Sequence, residues 1–461
     1  MLDTAKVAEL KAALRGQLIE AKDPAYEEAR ALYNAMIDKR PLAIVRCADV
    51  ADVITAVSFG RNNSLPLAIR GGGHNGPGLG SVNNGLVIDL SPMNGVRVDP
   101  ESRTARVGAG CTQGDVDHAT HAFGLAVPAG IISTTGIAGL TLSGGHGYLS
   151  RKYGLTIDNL LEADVVLADG SFVTAGKEKN ADLLWALRGG GGNFGVVTSF
   201  LFQLHPVSMV FAGPIAWDQK HARAIMQRYR EVLPKAPEDL GAFVGLKKIP
   251  SSAPFPQEIW GKPICLLMSC YNGTESDGKT ALAPLLEGLP EPFFNWMGTM
   301  PYPAVQSMFD GLYPKGMQWY WRGDFVKTLP DAAIDAHLEQ AAKTPSELSL
   351  MHLYPIDGAV QRVGKGDTAW NCRDATWSMV IAGIDPNPQN AEPVTRWTKA
   401  YWEAVHPFDL GGAYPNFMMD DEGDARLKAT YGDNYARLAA VKKKYDPANL
   451  FRVNQNIRPA A

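Results

Sequence analysis

The stretch LPLAIRGGGHNG at residues 65–76 places a short apolar strand directly before three glycines and a histidine. The residues around it predict a strand at 43–46, a helix at 50–62 and a second strand at 66–70. Only glycine allows both positive φ and very close approach of the backbone to another group. A triple-glycine turn at the end of a strand therefore predicts a binding loop built from the main chain.

Two more glycine clusters lie at 136–147 and 189–195, each between apolar segments. The first and the third cluster contain the dinucleotide spacing G-x-G-x-x-G. That motif needs a helix that begins at the glycines, so that the positive end of the helix faces the pyrophosphate. Here a loop follows the first cluster and a strand follows the third, which disfavours a Rossmann domain. Tight turns without a ligand are one interpretation, and a nest of backbone N–H groups around a phosphate is the favoured one.

The composition is typical of a globular protein with more than one domain: 461 residues, 46% hydrophobic and 20% charged. The net charge of -4 disfavours a protein that binds nucleic acid. No apolar run approaches the roughly 18 residues that span a membrane, and charged residues within 1–20 argue against a secretory signal. The five cysteines lack metal-ligand spacing. We therefore expect reduced thiols, a cytoplasmic protein and no metal site.

The composition changes after Pro206, where aromatic residues become more frequent. Period-two and helical patterns alternate up to about residue 410, and one more helix precedes the C-terminus. We predict strands at 264–271, 317–328, 351–356 and 376–384, and helices at 222–233, 332–342, 392–405 and 432–445. The pattern indicates two α+β regions, with the last segment returning to the first region.

Residues 273–280, GTESDGKT, match the P-loop pattern G-x-x-x-x-G-K-[ST] and follow an apolar strand. In a P-loop, Glu275 and Asp277 would lie in the phosphate cradle, where their charges would repel a triphosphate. The favoured interpretation is a polar strand-to-helix turn on the surface. A nucleotide-binding protein that uses Lys279 is the alternative from a different functional class.

The glycine clusters, taken in order, resemble the vanillyl-alcohol oxidase / p-cresol methylhydroxylase (PCMH) superfamily, and its berberine bridge enzyme-like oxidases in particular. Residues 70–75, RGGGHN, resemble the first half of the flavin domain, and residues 128–155 resemble the second pyrophosphate loop. LLWALRGGGGNFGVV at 183–197 continues the pattern. YPN at 414–416 and YDPANLFRVNQNI at 445–457 resemble the C-terminal signature of the oxidases. The resemblance covers nearly the whole chain.

This resemblance implies an α+β fold with three parts. Residues 1–205 would form a PCMH-type FAD-binding domain of two subdomains. Residues 206–413 would form an α/β substrate-binding domain whose antiparallel sheet covers the flavin. Residues 414–461 would form the berberine bridge enzyme-like segment that returns to the FAD domain.

The resemblance also implies FAD joined through its 8α-methyl carbon to a ring nitrogen of His74. Many relatives have a second bond through a cysteine at the position where this chain has Ile132, and Cys111 lies in a different segment. We therefore expect a single covalent attachment. The other residues expected at the cofactor are Arg70, Gly71, Gly72, Gly73, Asn75, Thr134, Thr135, Gly136, Gly139, Gly144, Gly145, Tyr148, Val197, Asn454 and Asn456.

The catalytic residues are likewise implied by the resemblance. Tyr414 corresponds to the tyrosine of a Tyr-x-Asn motif that often acts as general base, with Asn416 as the residue that orients it. A tyrosine with an ordinary pKa near 10 needs a cationic or hydrogen-bonding neighbour for that role. His146, which titrates nearer neutrality, is the second candidate. Candidate substrate-pocket residues, paired by the period of two along a strand, are Trp319 with Trp321, His352 with Tyr354, and Asn371 with Arg373.

The expected function is an oxidase that transfers a hydride from a CH–OH or CH–NH group of a small molecule to the flavin, with O2 reoxidising the flavin to give hydrogen peroxide. Thr135 aligns near the position that governs oxygen access in the family, and its small side chain favours an oxidase. A dehydrogenase with another electron acceptor and a non-catalytic flavin binder are alternatives. The expected partners are the substrate and O2, without nucleic acid or membrane, in a monomer or homodimer.

Overall fold

The structure, a computed structural model, describes residues 4–461. The first half of the chain is built from short strands and helices. They are α1 (Thr4–Ala13), β1 (Gln17–Glu20), α2 (Tyr26–Arg30), β2 (Ala43–Arg46), α3 (Val50–Asn62), β3 (Leu67–Arg70), β4 (Leu86–Asp89), β5 (Val96–Asp99), β6 (Thr104–Gly108), α4 (Gln113–His121), β7 (Leu125–Ala126), α5 (Ile137–Leu142), α6 (Ser150–Tyr153), β8 (Leu160–Val166), β9 (Phe172–Gly176), α7 (Ala181–Leu187) and β10 (Val196–Gln203).

The second half has longer strands, and three helices follow the last of them. The elements are β11 (His205–Pro206), β12 (Met209–Asp218), α8 (Ala222–Val232), β13 (Leu240–Lys248), β14 (Pro263–Tyr271), α9 (Glu275–Leu286), β15 (Phe294–Asn295), β16 (Gly298–Pro301), α10 (Tyr302–Gln306), β17 (Gln318–Val326), α11 (Asp331–Ala341), β18 (Leu350–Pro355), α12 (Ala359–Arg362), β19 (Trp377–Asp385), α13 (Ala391–Val405), α14 (Gly423–Tyr431) and α15 (Tyr435–Tyr445).

Two sheets form the first half. One has the order β1-β2-β4-β3, in which β2 and β3 run parallel to β4. The other is antiparallel, with the order β5-β6-β10-β8-β9. The predicted strand–helix–strand unit is confirmed, because β2, α3 and β3 lie where the pattern placed them.

An eight-stranded antiparallel sheet dominates the second half, with the order β15-β12-β14-β13-β18-β19-β17 and β16 beside β12. One face packs against α8, α9, α11 and α13 through side chains such as Trp217, Tyr229 and Tyr401. Because side chains alternate across a strand, the same strands present a second row of residues to the opposite face. That second face is turned towards the first half, as the expected α+β fold with an antiparallel sheet requires.

The C-terminal segment packs on the first half of the chain. Leu438, Phe451 and Ile457 belong to the same buried core as Phe194 and Val196. Within residues 4–461, no helix combines the length and the apolar character needed to cross a bilayer.

The P-loop alternative is wrong, because residues 273–280 do not form a loop. Helix α9 begins at Glu275, and the Thr274 side chain caps it by accepting from the Asp277 N–H. Lys279 lies one turn inside the helix and pairs with Glu275, with Nζ 2.7 Å from Oε1. The Gly278 N–H, which a P-loop would direct at the phosphate, donates instead to the Thr274 carbonyl at 2.9 Å, and the Asp277 N–H donates to the Thr274 side chain.

Candidate active site

A long cavity lies between the glycine turns of the first half and the second face of the large sheet. Residues from the turn after β3, the segment around α5, the third glycine cluster, the sheet and the C-terminal segment line it. The residues predicted for the site that line this cavity are Arg70, Gly71, Gly72, Gly73, His74, Asn75, Thr135, Gly136, Gly139, His146, Val197, Trp319, Trp321, His352, Tyr354, Tyr414, Asn416 and Asn454.

Asn371 and Arg373 were expected in the pocket, and that expectation is wrong. They lie in an irregular segment before β19 rather than on a strand. Arg373 donates to both carboxylate oxygens of Asp158, at 2.8 and 2.7 Å. Asn371 lies against Gly432, where a Cβ would be 2.4 Å from its Nδ2. Both residues lie outside the cavity lining, and Arg373 joins its loop to the segment of Asp158.

Five predicted cofactor residues do not line the cavity itself. Tyr148 packs its ring 5.7 Å from that of Phe243, and Asn456 also stays outside. Three others lie directly behind the lining: Thr134 next to His74, Gly144 against the Tyr414 ring and Gly145 at the Tyr414 hydroxyl. Tyr148 and Asn456 therefore lie outside the lining, although the Tyr148 hydroxyl and Asn456 Oδ1 are buried without a hydrogen-bond partner among the described residues.

The turn that carries His74 is held by an ion pair at the end of its strand. Arg70 and Asp89 are directly opposite on the parallel strands β3 and β4, and Arg70 Nη2 lies 2.7 Å from Asp89 Oδ2. Both side chains are buried. A buried pair of this kind is costly to break, so it fixes where the chain leaves the sheet and enters the glycines.

The His74 imidazole is held on two sides. Tyr33 stacks on it, with ring centroids 3.9 Å apart, and Thr134 Oγ1 lies 3.0 Å from His74 Nε2. Burial lowers the pKa of His74 to about 4 by disfavouring the charged form. At neutral pH the ring is uncharged, so one of its nitrogens keeps a free lone pair.

The two turns beside His74 touch backbone to backbone. A Cβ on Gly72 would lie 2.3 Å from the Gly136 nitrogen, and a Cβ on Gly136 would lie 2.2 Å from the Gly72 nitrogen. Real Cβ atoms do not approach so closely, so both positions need glycine. This contact brings Thr134 within reach of His74.

Gly136→Ala is expected to lower the free energy of unfolding by about 1–3 kcal/mol, because the new methyl group overpacks a backbone contact. Urea denaturation of the two proteins measures the difference. The matched control is Gly139→Ala in α5, where a Cβ meets nothing within 4 Å. Equal stability of the Gly136→Ala variant and the wild type would contradict the close contact of the turns.

Tyr414 reaches the cavity from the C-terminal segment. Its hydroxyl accepts an N–H from Gly145 at 3.1 Å and another from Asn416 Nδ2 at 2.8 Å. These donors favour the phenolate, but burial outweighs them and raises the pKa of Tyr414 to about 12. The resting side chain is therefore a neutral phenol held in a fixed orientation.

His146 lies on the same wall as Tyr414, with ring centroids 4.6 Å apart. The ring is buried, and among residues 4–461 neither of its nitrogens has a hydrogen-bond partner. Burial lowers the pKa of His146 to about 3, so the imidazole is neutral. A buried unpaired acceptor beside a cavity indicates a place where a ligand supplies the missing hydrogen bond.

The roof of the cavity contains residues that sequence reasoning missed. Lys247 and Tyr313 line it together, with Lys247 Nζ 2.8 Å from the Tyr313 hydroxyl. Tyr33 also lines it and reaches the roof by donating its hydroxyl to the Tyr313 carbonyl. The sequence signal that could have placed Lys247 in the roof was the period-two spacing of residues 243, 245 and 247. The two glycines of β13 weaken the strand pattern there, so the strand was not predicted.

The cavity fits a flavin dinucleotide. Among its lining residues, the buried polar atoms without a partner in the described chain include Arg70 Nη1, Trp321 Nε1 and Asn454 Oδ1, besides both nitrogens of His146. None of the lining residues within 4–461 is Asp or Glu, so no carboxylate repels a diphosphate. Glycine turns allow backbone donors to approach phosphates, and the apolar walls suit flat rings.

Comparisons with known proteins agree with this fit. A model of an FAD binding domain matches residues 41–176, and a model described as berberine and berberine like matches residues 413–458. An FAD-linked oxidoreductase of Dictyostelium discoideum is 33% identical, over 93% of this chain and 91% of the relative. (R)-6-Hydroxynicotine oxidase of Paenarthrobacter nicotinovorans is 28% identical, over 97% of both chains.

The fold comparison gives the same answer over the whole length. The crystal structure of 6-hydroxy-D-nicotine oxidase from Arthrobacter nicotinovorans matches with a TM-score of 0.88 and 26% identity, over 100% of both chains. The glycine turns, the sheet above them and the returning Tyr414 segment are thus parts of one known architecture. The chain belongs to the FAD-linked oxidoreductases of the berberine bridge enzyme-like family, within the vanillyl-alcohol oxidase / p-cresol methylhydroxylase superfamily.

Proposed function

We propose that this oxidoreductase is an oxidase that carries FAD on His74 and oxidises a CH–OH or CH–NH group of a small molecule. One observation carries the proposal. A neutral imidazole in the triple-glycine turn and the Tyr414–His146 wall line the same cavity, although they come from distant parts of the chain. The (R)-6-hydroxynicotine oxidase named above is an oxidase by its name, which favours the same reaction class here.

The surroundings of His74 support a single covalent attachment. Thr134 engages Nε2 and Tyr33 fixes the plane of the ring, so Nδ1 is the nitrogen we assign to the bond with the 8α-methyl carbon. Ile132 lines the cavity where a second attachment would need a thiol. Cys111 is buried, with Sγ 3.7 Å from the Gly95 carbonyl oxygen, and does not line the cavity.

FAD bound by the glycine turns and His74 would supply the two-electron chemistry, as an acceptor for the substrate hydride whose electrons and protons then convert O2 to hydrogen peroxide. The chain must take the proton from the substrate O–H or N–H. One nitrogen of the neutral His146 ring keeps a lone pair that would accept this proton, and the Tyr414 hydroxyl on the same wall would relay it.

A substrate screen tests the reaction class. Amines and alcohols are added without oxygen, bleaching of the flavin absorbance is recorded, and air is then admitted. An oxidase regains its colour and releases one hydrogen peroxide per flavin. Reoxidation only by an added dye would identify a dehydrogenase, and a flavin that no amine or alcohol bleaches would identify a non-catalytic flavin binder.

The partners and location belong to the same proposal. The cavity suits a small-molecule substrate, and the small side chain of Thr135 in its lining favours access by O2. Unbridged cysteines at all five positions, each of them buried, favour the reducing cytoplasm. A monomer or homodimer is proposed, to be distinguished by light scattering.

Tyr414→Phe is expected to slow flavin reduction about a hundredfold, because the variant loses the hydroxyl that relays the proton. Stopped-flow measurement of bleaching without oxygen gives the rate. The matched control is Tyr354→Phe, which removes another buried cavity hydroxyl, 3.0 Å from His352 Nδ1. A reduction rate that is unchanged in Tyr414→Phe would remove Tyr414 from the reaction and leave His146 alone in that role.

A further inference from the structure

The roof of the cavity carries one lysine, Lys247, that the proposed reaction does not use. Along β13, residues 243, 245 and 247 point to the cavity side, and Lys247 lines the cavity. Among the described residues of the eight-stranded sheet that line the cavity, Lys247 is the only Asp, Glu, Lys or Arg. A cationic group at one point of a mostly aromatic and aliphatic surface can orient a ligand and give specificity.

The Lys247 ammonium is buried and incompletely paired. Its exposed fraction is 7%, and Nζ donates one hydrogen bond, to the Tyr313 hydroxyl. An ammonium has three N–H donors. Within residues 4–461 no carboxylate forms an ion pair with Lys247, and burial lowers its pKa to about 7 because the charged form is desolvated. An anion in the cavity would restore the charge and satisfy the remaining donors.

Aromatic rings surround this charge. Lys247 Nζ lies 5.2 Å from the Tyr313 ring centroid, and Tyr313 lies 5.8 Å from Trp319. Trp319 meets Trp321 edge to face at 5.6 Å. Such walls bind flat rings through their faces and edges. The binding partner of Lys247 therefore has an aromatic body.

Two side chains, His352 and Tyr354, lie between Lys247 and the wall that handles the proton. Burial lowers the pKa of His352, and the Lys247 ammonium is near enough to lower it further. His352 Nδ1 lies 3.0 Å from the Tyr354 hydroxyl. Tyr313 and Trp319 form one aromatic cluster with Tyr33. His146 contacts Tyr354 and Tyr414 in a different group. A ligand held at Lys247 by one end would thus present its other end to the reacting wall.

We propose that Lys247, assisted by Tyr313, determines substrate specificity by binding the oxygen anion of an aromatic acid, either a carboxylate or a phenolate. This deepens the proposed function and rests on it in one respect: the cavity that Lys247 lines is the one that holds the substrate. The substrate then has two functional ends, an acidic oxygen at Lys247 and a CH–OH or CH–NH group at the flavin.

Calorimetry on the holoenzyme tests the inference without turnover. The probes are benzoate and 2,4-dinitrophenolate, with benzamide and 2,4-dinitroanisole as their neutral counterparts, at about pH 6.5, below the pKa of Lys247. Wild type should bind at least one anion more tightly than its neutral counterpart, and which anion binds identifies the acid as carboxylate or phenolate. Lys247→Met should lower the affinity for that anion by about tenfold or more and leave the affinity for the neutral probes unchanged. Lys247→Arg keeps a positive charge and should restore the affinity for that anion.

Lys247→Gln is the second variant, used if the methionine variant does not fold, because it keeps a polar head without the charge. Tyr313→Phe keeps the charge and should keep the preference for anions. The inference is overturned if wild type binds neither anion, or if the uncharged variants bind them as tightly as wild type does. A protein that binds anions through Lys247 but oxidises no substrate would overturn only the proposed function.

Discussion

His74→Ala is expected to release all of its FAD on denaturation, whereas the wild type keeps the flavin on the polypeptide. The reason is chemical: alanine has no nitrogen to bond the 8α-methyl carbon, and the wild-type imidazole is neutral because burial lowers its pKa to about 4. Acid precipitation followed by absorbance of pellet and supernatant measures the released fraction. Mass spectrometry of the intact chain then shows whether the mass of one FAD is present.

Thr134→Val is the informative control, because it keeps the His74 ring but removes the group 3.0 Å from Nε2. We expect this variant to attach FAD slowly and incompletely. Without that partner, the tautomer that leaves Nδ1 free is no longer favoured. An FAD adduct that persists in His74→Ala would place the bond on another residue. A wild type that releases all its FAD would show non-covalent binding.

Much of the fold followed from local sequence signals. Glycine turns depend on the conformational freedom of a few adjacent residues, so the segments around Gly72 and Gly136 were recognisable without any contact information. The four strands and four helices predicted in the second half were located to within a few residues by their periodicity, whereas β12, β13 and α14 were not predicted. The pattern could not predict the contact between Gly72 and Gly136, because that contact depends on packing between turns that are distant in sequence.

The misplaced and missed residues have the same cause. Asn371 and Arg373 have the spacing of a strand face, but a bidentate ion pair with Asp158 stabilises an irregular segment instead. Lys247 lies on a strand whose glycines weaken the β pattern, and the sheet register, which pairs Lys247 with Leu350, establishes its place in the roof. A short pattern indicates which local structures a segment can form, and long-range contacts determine which of them it forms.

The P-loop match shows that a short sequence pattern does not exclude a different local structure. All four specified positions of G-x-x-x-x-G-K-[ST] are present at 273–280, yet the segment is the first turns of a capped helix. The threonine cap and the Glu275–Lys279 pair stabilise that helix in the same residues that the pattern reads as a loop.

Lys442→Met is expected to lower the free energy of unfolding by about 3–5 kcal/mol, because it removes one partner of a fully buried ion pair. Lys442 Nζ lies 2.6 Å from Asp446 Oδ2, and neither side chain has any exposed surface. The same ammonium donates to the carbonyls of Asn193 at 2.7 Å and Phe451 at 2.9 Å. The variant leaves a buried carboxylate and two carbonyls without this donor.

The matched control is Lys444→Met on the same helix, since Lys444 pairs with Asp182 at 2.7 Å on the surface. An exposed pair contributes about 0–1 kcal/mol, so this variant should be nearly as stable as wild type in urea denaturation. Asn193 also lines the cavity. When His74→Ala is combined with each lysine variant to remove the covalent attachment, only the protein with Lys442→Met should therefore lose FAD more readily. Similar losses of stability in the two lysine variants would mean that Lys442 does not hold the C-terminal segment onto the third glycine cluster.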